Sequence, residues 1–443
     1  MQHTTQHNVE DGGGGGDGDD GGKFDEWDES YTGKDVTEKT ETNTTSDSSN
    51  KGTTPQDAFN EWDDFDIKSS VLRGIHAHGF EKPSPIQRQG IVPMIIRDKD
   101  GYGRDIIAQA QSGTGKTGCF VVSALNIVDI SNSTTQVLIL APTHELAKQI
   151  KGVLDSIGKP MKGLTTQLLI GGTSVEKDRT SLDNYVPHIV VGTPGRVHDL
   201  IRRKYLLTSN MRTIVLDEAD EMLSMGFKDQ IYNILQYMPT KVQIGLFSAT
   251  MPDELGELTV KFMKNPTKIL VKADMLTLQG ISQYHINLDG DEHKYHCLKD
   301  IFATLNMSQT IVYCNSTRRV DDLYEAMMID KFPVRKIHGK MDEHEREENN
   351  KAFRDGSCRV LIASDLYARG VDVQQVNVVI NFDVCKSEHT YLHRIGRSGR
   401  WGRKGIAVNF STKHDGPKLK EFEVYYNTHI PVMPEDWAKG LNA

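Results

Sequence analysis

No run of apolar residues in this chain approaches the roughly 20 needed to cross a bilayer as a helix. The N-terminal stretch also lacks the apolar core that marks a secretory leader. Neither a membrane partner nor secretion is therefore expected. Cysteine is sparse: Cys119, Cys297, Cys314, Cys358 and Cys385 are scattered, odd in number and free of any C-x-x-C pair. That argues against a disulfide framework or a zinc centre and for reduced, mostly buried thiols. Positive charge is short overall, at a net −9, but the deficit is local. Residues 1 to 60 hold 14 Asp and Glu against 4 Lys and Arg, or −10, which leaves +1 for the rest. A near-neutral body can still bind nucleic acid if its basic residues line one groove.

At 443 residues the chain has length for two or three domains. Residues 1–57 are rich in Gly, Asp, Ser and Thr and offer little to bury, so a disordered acidic tail is expected. Short β-branched runs follow, alternating with helical patterns. The first set is Asp105–Ala108, Val137–Ala141, His188–Gly192, Thr213–Leu216 and Val242–Phe247. The second is Thr310–Cys314, Val334–Ile337, Arg359–Ala363, Val378–Asn381 and Ile406–Phe410. Near-continuous apolar character suits parallel strands buried on both faces, with helices between them. The fold class is therefore α/β, with one domain over 58–271, a linker over 272–283 and a second domain over 284–443.

Polar runs fall just after these strands, where open parallel sheets bind ligands. Ala110, Gln111, Ser112, Gly113, Thr114, Gly115, Lys116 and Thr117 follow the first strand and match a phosphate-binding loop, with Ala110 in place of the usual first glycine. The glycines let backbone N–H groups close on phosphate oxygens. Lys116 suits the β- and γ-phosphates, and the Thr117 hydroxyl suits Mg²⁺. Asp217 and Glu218 end an apolar strand, a costly place for two carboxylates unless they meet a cation or a water. Asp217 fits Mg²⁺ and Glu218 fits a general base that orients the attacking water. An acidic helix N-terminus is the plainer reading of the same run.

Asp217-Glu-Ala-Asp220 occurs with Gly79-Phe-Glu-Lys-Pro-Ser-Pro-Ile-Gln87, Ser248-Ala-Thr250, Ser364-Asp-Leu-Tyr-Ala-Arg-Gly-Val-Asp372 and His393-Arg-Ile-Gly-Arg-Ser-Gly-Arg400. In this order, over roughly residues 58 to 430, the chain resembles the DEAD-box ATP-dependent RNA helicases. The segments Gly226–Tyr232 and Leu276–Ile281 look most like the translation initiation factor 4A subfamily. The resemblance implies two tandem RecA-like domains that bind ATP with Mg²⁺ and hold RNA without reading its sequence. It implies local unwinding in translation initiation, with an ATP-gated RNA clamp of exon-junction type as the alternative. A DNA helicase is disfavoured.

The resemblance also implies residue roles. Gln87 would read adenine, framed by Phe80 and by Trp62, where the family usually has Phe; a core Trp of the first helix is the alternative for Trp62. Asp372 would take the ribose. Ser248, Thr250, Asp220 and His393 would couple ATP turnover to RNA, and Arg397 and Arg400 would reach the γ-phosphate. Pro142, Thr143, Gly172, Thr193, Gly195, Arg196, Asn315, Ser316 and Ser364 would contact RNA, although Thr143, Thr193 and Ser364 could equally be helix caps. A monomer in the cytoplasm, with a nuclear role open, and a helical-repeat scaffold partner of the initiation factor 4G type are further expectations. The chain departs from the family pattern at His144 (usually Arg), Glu343 (usually Gln), Cys385 (usually Pro) and His389 (usually Glu). An extra loop of about six residues around Arg97–Gly103 is expected at the surface.

Overall fold

The computed structural model describes residues 59–99, 101–110, 113–270, 280–304, 309–365, 376–398 and 405–434. The tail expected over 1–57 lies outside them, as do Gln111, Ser112, Asp372 and Arg400 and most of the linker. The first lobe runs α1 (Ser69–His78), α2 (Pro85–Ile95), β1 (Ile106–Gln109), α3 (Lys116–Ile127), β2 (Val137–Leu140), α4 (His144–Gly158), β3 (Thr166–Leu169), α5 (Val175–Asn184) and β4 (Ile189–Gly192). It continues α6 (Pro194–Arg202), β5 (Thr213–Asp217), α7 (Ala219–Ser224), α8 (Lys228–Gln236), β6 (Gln243–Ser248), α9 (Asp253–Phe262) and β7 (Thr267–Leu270). The second lobe runs β8 (Ile281–Asn287), α10 (Lys294–Thr304), β9 (Gln309–Cys314), α11 (Thr317–Ile329), β10 (Val334–Ile337), α12 (Glu343–Arg354) and β11 (Val360–Ser364). It ends with β12 (Val376–Asn381), α13 (Glu388–Ile395), β13 (Gly405–Ser411) and α14 (Gly416–Tyr425).

The strands form one sheet of order β3-β4-β2-β5-β6-β1-β7 and another of order β10-β11-β9-β12-β13-β8. Every pairing between these strands is parallel. Alternation along a strand feeds both faces. On β2, Val137 and Ile139 join the core under α1 to α4, while Leu138 and Leu140 join the core under α6, α8 and α9. Apolar runs without polar alternation are what burial on both faces requires.

Three strands lay beyond the sequence reading: β3, β7 and β8, each at a sheet edge. Their exposure explains it, since β3 has three half-buried residues of four and β7 alternates with solvent. Ile281, Ser282 and Gln283, assigned from sequence to the linker, open β8. The loop after α2 is held more firmly than a free surface loop. Arg97 donates to Gln243 Oε1 (2.9 Å) and Thr213 Oγ1 (3.2 Å), pinning the turn to the sheet.

Candidate functional site

Because all strands of a sheet run in parallel, their carboxyl ends share one edge, and the polar motifs collect there. Beyond β1, the Ala110 N–H donates to Ser248 O at 3.0 Å, seating the loop against the end of β6. Gly113 and Gly115 have φ of +84° and +103°, a region that side chains rarely enter. Gly115 is the N-cap of α3, which puts Lys116 and Thr117 in the first helical turn. Free N–H groups and the helix dipole favour an anion there. Lys116 Nζ sits 3.2 Å from Glu218 Oε2, and both side chains are almost fully buried.

Asp217 is the last residue of β5, and Glu218, the N-cap of α7, has φ +49°. A left-handed conformation at a residue with a side chain stores strain, and here it turns the chain sharply from strand to helix. The Glu218 N–H donates to Asp217 Oδ1 at 3.1 Å. Burial, and after it the charge of Glu218, push the Asp217 carboxyl well above the ordinary carboxylate range, with Lys116 opposing.

Asp220 behaves in the opposite way. Burial works against its charge, but His393 and Thr250 hold its carboxyl far below the usual range. Its Oδ2 accepts from Thr250 Oγ1 (2.5 Å) and Thr250 N–H (3.2 Å) and stands 3.5 Å from His393 Nε2 of the second lobe. Ser248 Oγ donates to Thr250 O at 2.7 Å, closing the set. The expected coupling residues are thus all brought together. Arg397 is buried beside them, its Nε donating to His393 O at 3.2 Å.

Gln87, buried in the first turn of α2, accepts from Ser84 N–H (2.7 Å) and donates to Gly115 O (3.1 Å). This joins the expected base reader to the phosphate loop. Trp62 is placed otherwise than expected. Its ring is 6.1 Å from that of Phe80, nearly parallel, and only 1% exposed. A purine held between two rings needs about 7 Å, twice a contact distance of about 3.5 Å. Trp62 is therefore a core aromatic packed with Phe65 and Phe80, and only Phe80 is left to meet a base. Gly118 escaped the sequence reading. A Cβ there would lie 2.5 Å from Gln87 Nε2 and 3.0 Å from Phe80. Its signal was a glycine inside a helix, one residue after Thr117.

The residues expected to touch RNA lie along the carboxyl edges. Pro142 and Thr143 follow β2, Gly172 follows β3, Thr193 and Gly195 follow β4, Asn315 and Ser316 follow β9, and Ser364 ends β11. Thr143 Oγ1 caps α4 through Leu146 N–H, and Ser316 Oγ caps α11 through Arg319 N–H. Thr193 is the N-cap of α6 without a side-chain cap bond. Arg196 departs from its expected role. Its guanidinium is engaged by Asp178 and by Thr173 Oγ1 and Thr173 O, so it fastens the loop carrying Gly172 and is not presented to a ligand.

Arg394, inside the motif that runs from His393 to Arg400, is wholly buried. It donates to Asp365 Oδ1 (2.5 Å), Asn315 Oδ1 (2.7 Å), Asp383 O (2.7 Å) and Asn381 Oδ1 (3.3 Å). The helical spacing from Arg394 to Arg397 carried no sign of that burial. Cys385 is buried and Ser387 caps α13 through Thr390 N–H, so the start of that helix is intact despite the departures at 385 and 389. His144 is held towards its neutral form by burial.

Residues 84–258 match the DEAD/DEAH box helicase family, and residues 293–402 match the helicase conserved C-terminal domain. Eukaryotic initiation factor 4A of Caenorhabditis elegans is 51% identical over 85% of this chain and 92% of its own. The ATP-dependent RNA helicase eIF4A of Pyricularia oryzae is 50% identical over 84% of this chain and 92% of its own. The structure of S. cerevisiae Dbp5 bound to RNA and ADP BeF3 superposes with a TM-score of 0.79 at 30% identity, covering 86% of this chain and 97% of Dbp5. With two RecA-like lobes and both helicase matches in order, this chain belongs to the DEAD-box helicase family.

Proposed function

We infer that this chain is an ATP-dependent RNA helicase of the initiation factor 4A type, which hydrolyses ATP to ADP and phosphate and remodels RNA locally in translation initiation. The observation that carries the reading is Asp220, bonded to Thr250 in its own lobe and facing His393 in the other. A site divided in this way responds to closure of the lobes, which RNA bound along both carboxyl edges favours.

Lys116 Nζ stands 3.2 Å from Glu218 Oε2. The phosphate oxygens of ATP compete for its ammonium and leave the Glu218 carboxylate free to accept a proton. A water oxygen then attacks the γ-phosphorus, its proton passes to Glu218, and the bond to the departing ADP oxygen breaks. Arg397 and Arg400 offset the charge that develops on the transferring group. Gln87 and Phe80 hold the base, the backbone from Ala110 to Thr117 cradles the phosphates, and Asp372 takes the ribose.

Thr117 and Asp217 are the residues that would hold Mg²⁺. The raised Asp217 carboxyl fits such an ion, because it marks a site short of positive charge. The ion supplies charge that offsets the phosphate oxygens. Pro142, Thr143, Gly172, Thr193, Gly195, Asn315, Ser316 and Ser364 bind RNA backbone, while Arg196 holds the Gly172 loop in place. A helical-repeat scaffold protein of the initiation factor 4G type and a cytoplasmic site of action follow from kinship with initiation factor 4A.

The test measures ATP hydrolysis with no nucleic acid, with single-stranded RNA and with single-stranded DNA, together with ATP-dependent release of a short RNA strand from a duplex. RNA is expected to stimulate hydrolysis most and ATP to be needed for release. Equal stimulation by DNA, or release without ATP, would overturn the reading.

A further inference from the structure

Away from the nucleotide, the first two turns of α4 meet the first two turns of α12, and five charged side chains pair across the gap. Glu145 Oε1 lies 2.8 Å from Arg346 Nε. Lys148 Nζ lies 3.0 Å from Glu343 Oε1 and 3.6 Å from Glu347 Oε2. The spacings 145 and 148 on one helix, and 343, 346 and 347 on the other, each put their residues on one helical face. Glu343 also approaches the RNA edge, since a Cβ on Gly172 would be 3.0 Å from its Oε2. Residue 343 is the position where the sequence breaks its family pattern by carrying a charge in place of an amide.

We propose that Lys148 and Glu343 form an ionic latch, positioning the second lobe against the first on the RNA side of the cleft. The pair joins residues 195 positions apart, one on each lobe, so it can form only when the lobes are together. Glu145–Arg346 beside it sets the register, because swapping partners would oppose like charges. Lys148 serves both Glu343 and Glu347, which makes its ammonium the centre of the latch. His144, at the start of α4, stays neutral and does not compete for Glu343. Both partners of the central pair are more than a third exposed. The latch is therefore modest and sensitive to salt: it biases closure without locking it. Its role rests on the reading above that RNA and ATP act through closure.

The experiment places a donor and an acceptor fluorophore on the two lobes of the full chain and reads the closed fraction. It compares the protein alone with protein plus single-stranded RNA and a non-hydrolysable ATP analogue. Glutamine replaces each partner, since it keeps side-chain length and helix propensity. Lys148→Gln and Glu343→Gln are each expected to lower the closed-to-open ratio about two- to fivefold. The double variant is expected to lose no more than Lys148→Gln alone, and to show a weaker salt dependence than the parent, since Glu145–Arg346 remains. Additive losses in the double variant, or an unchanged salt dependence, would overturn the latch. If RNA and the analogue fail to shift the parent protein, the helicase reading fails. The latch is still decided by the glutamine variants in the protein alone.

Discussion

His393 Nε2 in the second lobe stands 3.5 Å from Asp220 Oδ2 in the first, and that oxygen also accepts both hydrogen bonds from Thr250. A single carboxylate thereby senses the strand-end turn and the opposite lobe together. Asp220→Asn keeps the shape and removes the charge, and hydrogen bonds to a charged group are worth roughly 1.5–3 kcal/mol. RNA-stimulated hydrolysis is expected to fall by about 10- to 100-fold, while binding of a fluorescent ATP analogue changes by no more than about threefold. If hydrolysis without RNA dropped by the same factor, Asp220 would have no coupling role.

The parts legible in the sequence were those with a local cause. Val137–Leu140 and Thr213–Asp217 are central strands with both faces buried, and their apolar runs announce it. Gly115 and Lys116 could be placed at a strand-to-helix turn because one short glycine-rich loop joins β1 to α3. Edge strands such as Thr267–Leu270 expose half their side chains and look like ordinary chain. The burial of Arg394 leaves no local mark in the sequence, because its acceptors Asn315, Asp365 and Asp383 arrive from other strand ends. Trp62 suits a base platform or the core by sequence alone, and packing against Phe65 and Phe80 favours the core. Lys148 and Glu343 could not be paired from sequence, since nothing local relates two helices in different lobes.

Lys116 Nζ lies 3.2 Å from Glu218 Oε2, so a bound phosphate and the proposed base compete for one ammonium. Glu218→Gln retains a hydrogen-bonding side chain without basicity. Loss of a positioned general base costs about 10²- to 10⁴-fold. The single-turnover rate of ATP cleavage is expected to fall within that range, with ATP and RNA affinities retained. Cleavage at the parent rate would remove Glu218 from the mechanism.

Arg394, itself fully buried, organises the second lobe through four acceptors, of which Asp365 is partly exposed. Arg394→Ala leaves Asn315, Asn381 and the Asp383 carbonyl without their donor. Breaking a buried charged network from one side costs about 3–5 kcal/mol. Urea unfolding is expected to show a loss of that order confined to the transition of the second lobe. A loss below about 1 kcal/mol, the range of an exposed pair, would mean that solvent replaces the guanidinium.

Gly118 separates stability from substrate binding. It sits inside α3, where alanine is favoured over glycine by about 1 kcal/mol, so Gly118→Ala should not lower the melting temperature on helical grounds. Its new Cβ, however, would stand 2.5 Å from Gln87 Nε2 and 3.0 Å from Phe80, inside the space of the base reader. Gln87 would have to turn away from Gly115 O, loosening the link between base pocket and phosphate loop. The KM for ATP is expected to rise about tenfold, a cost of about 1.4 kcal/mol in ground-state binding, with kcat nearly unchanged. Discrimination against GTP should narrow in the same variant, because the displaced Gln87 is the proposed reader of the base edge. An unchanged KM with a reduced kcat would place Gly118 on the phosphate side of the site and separate it from Gln87.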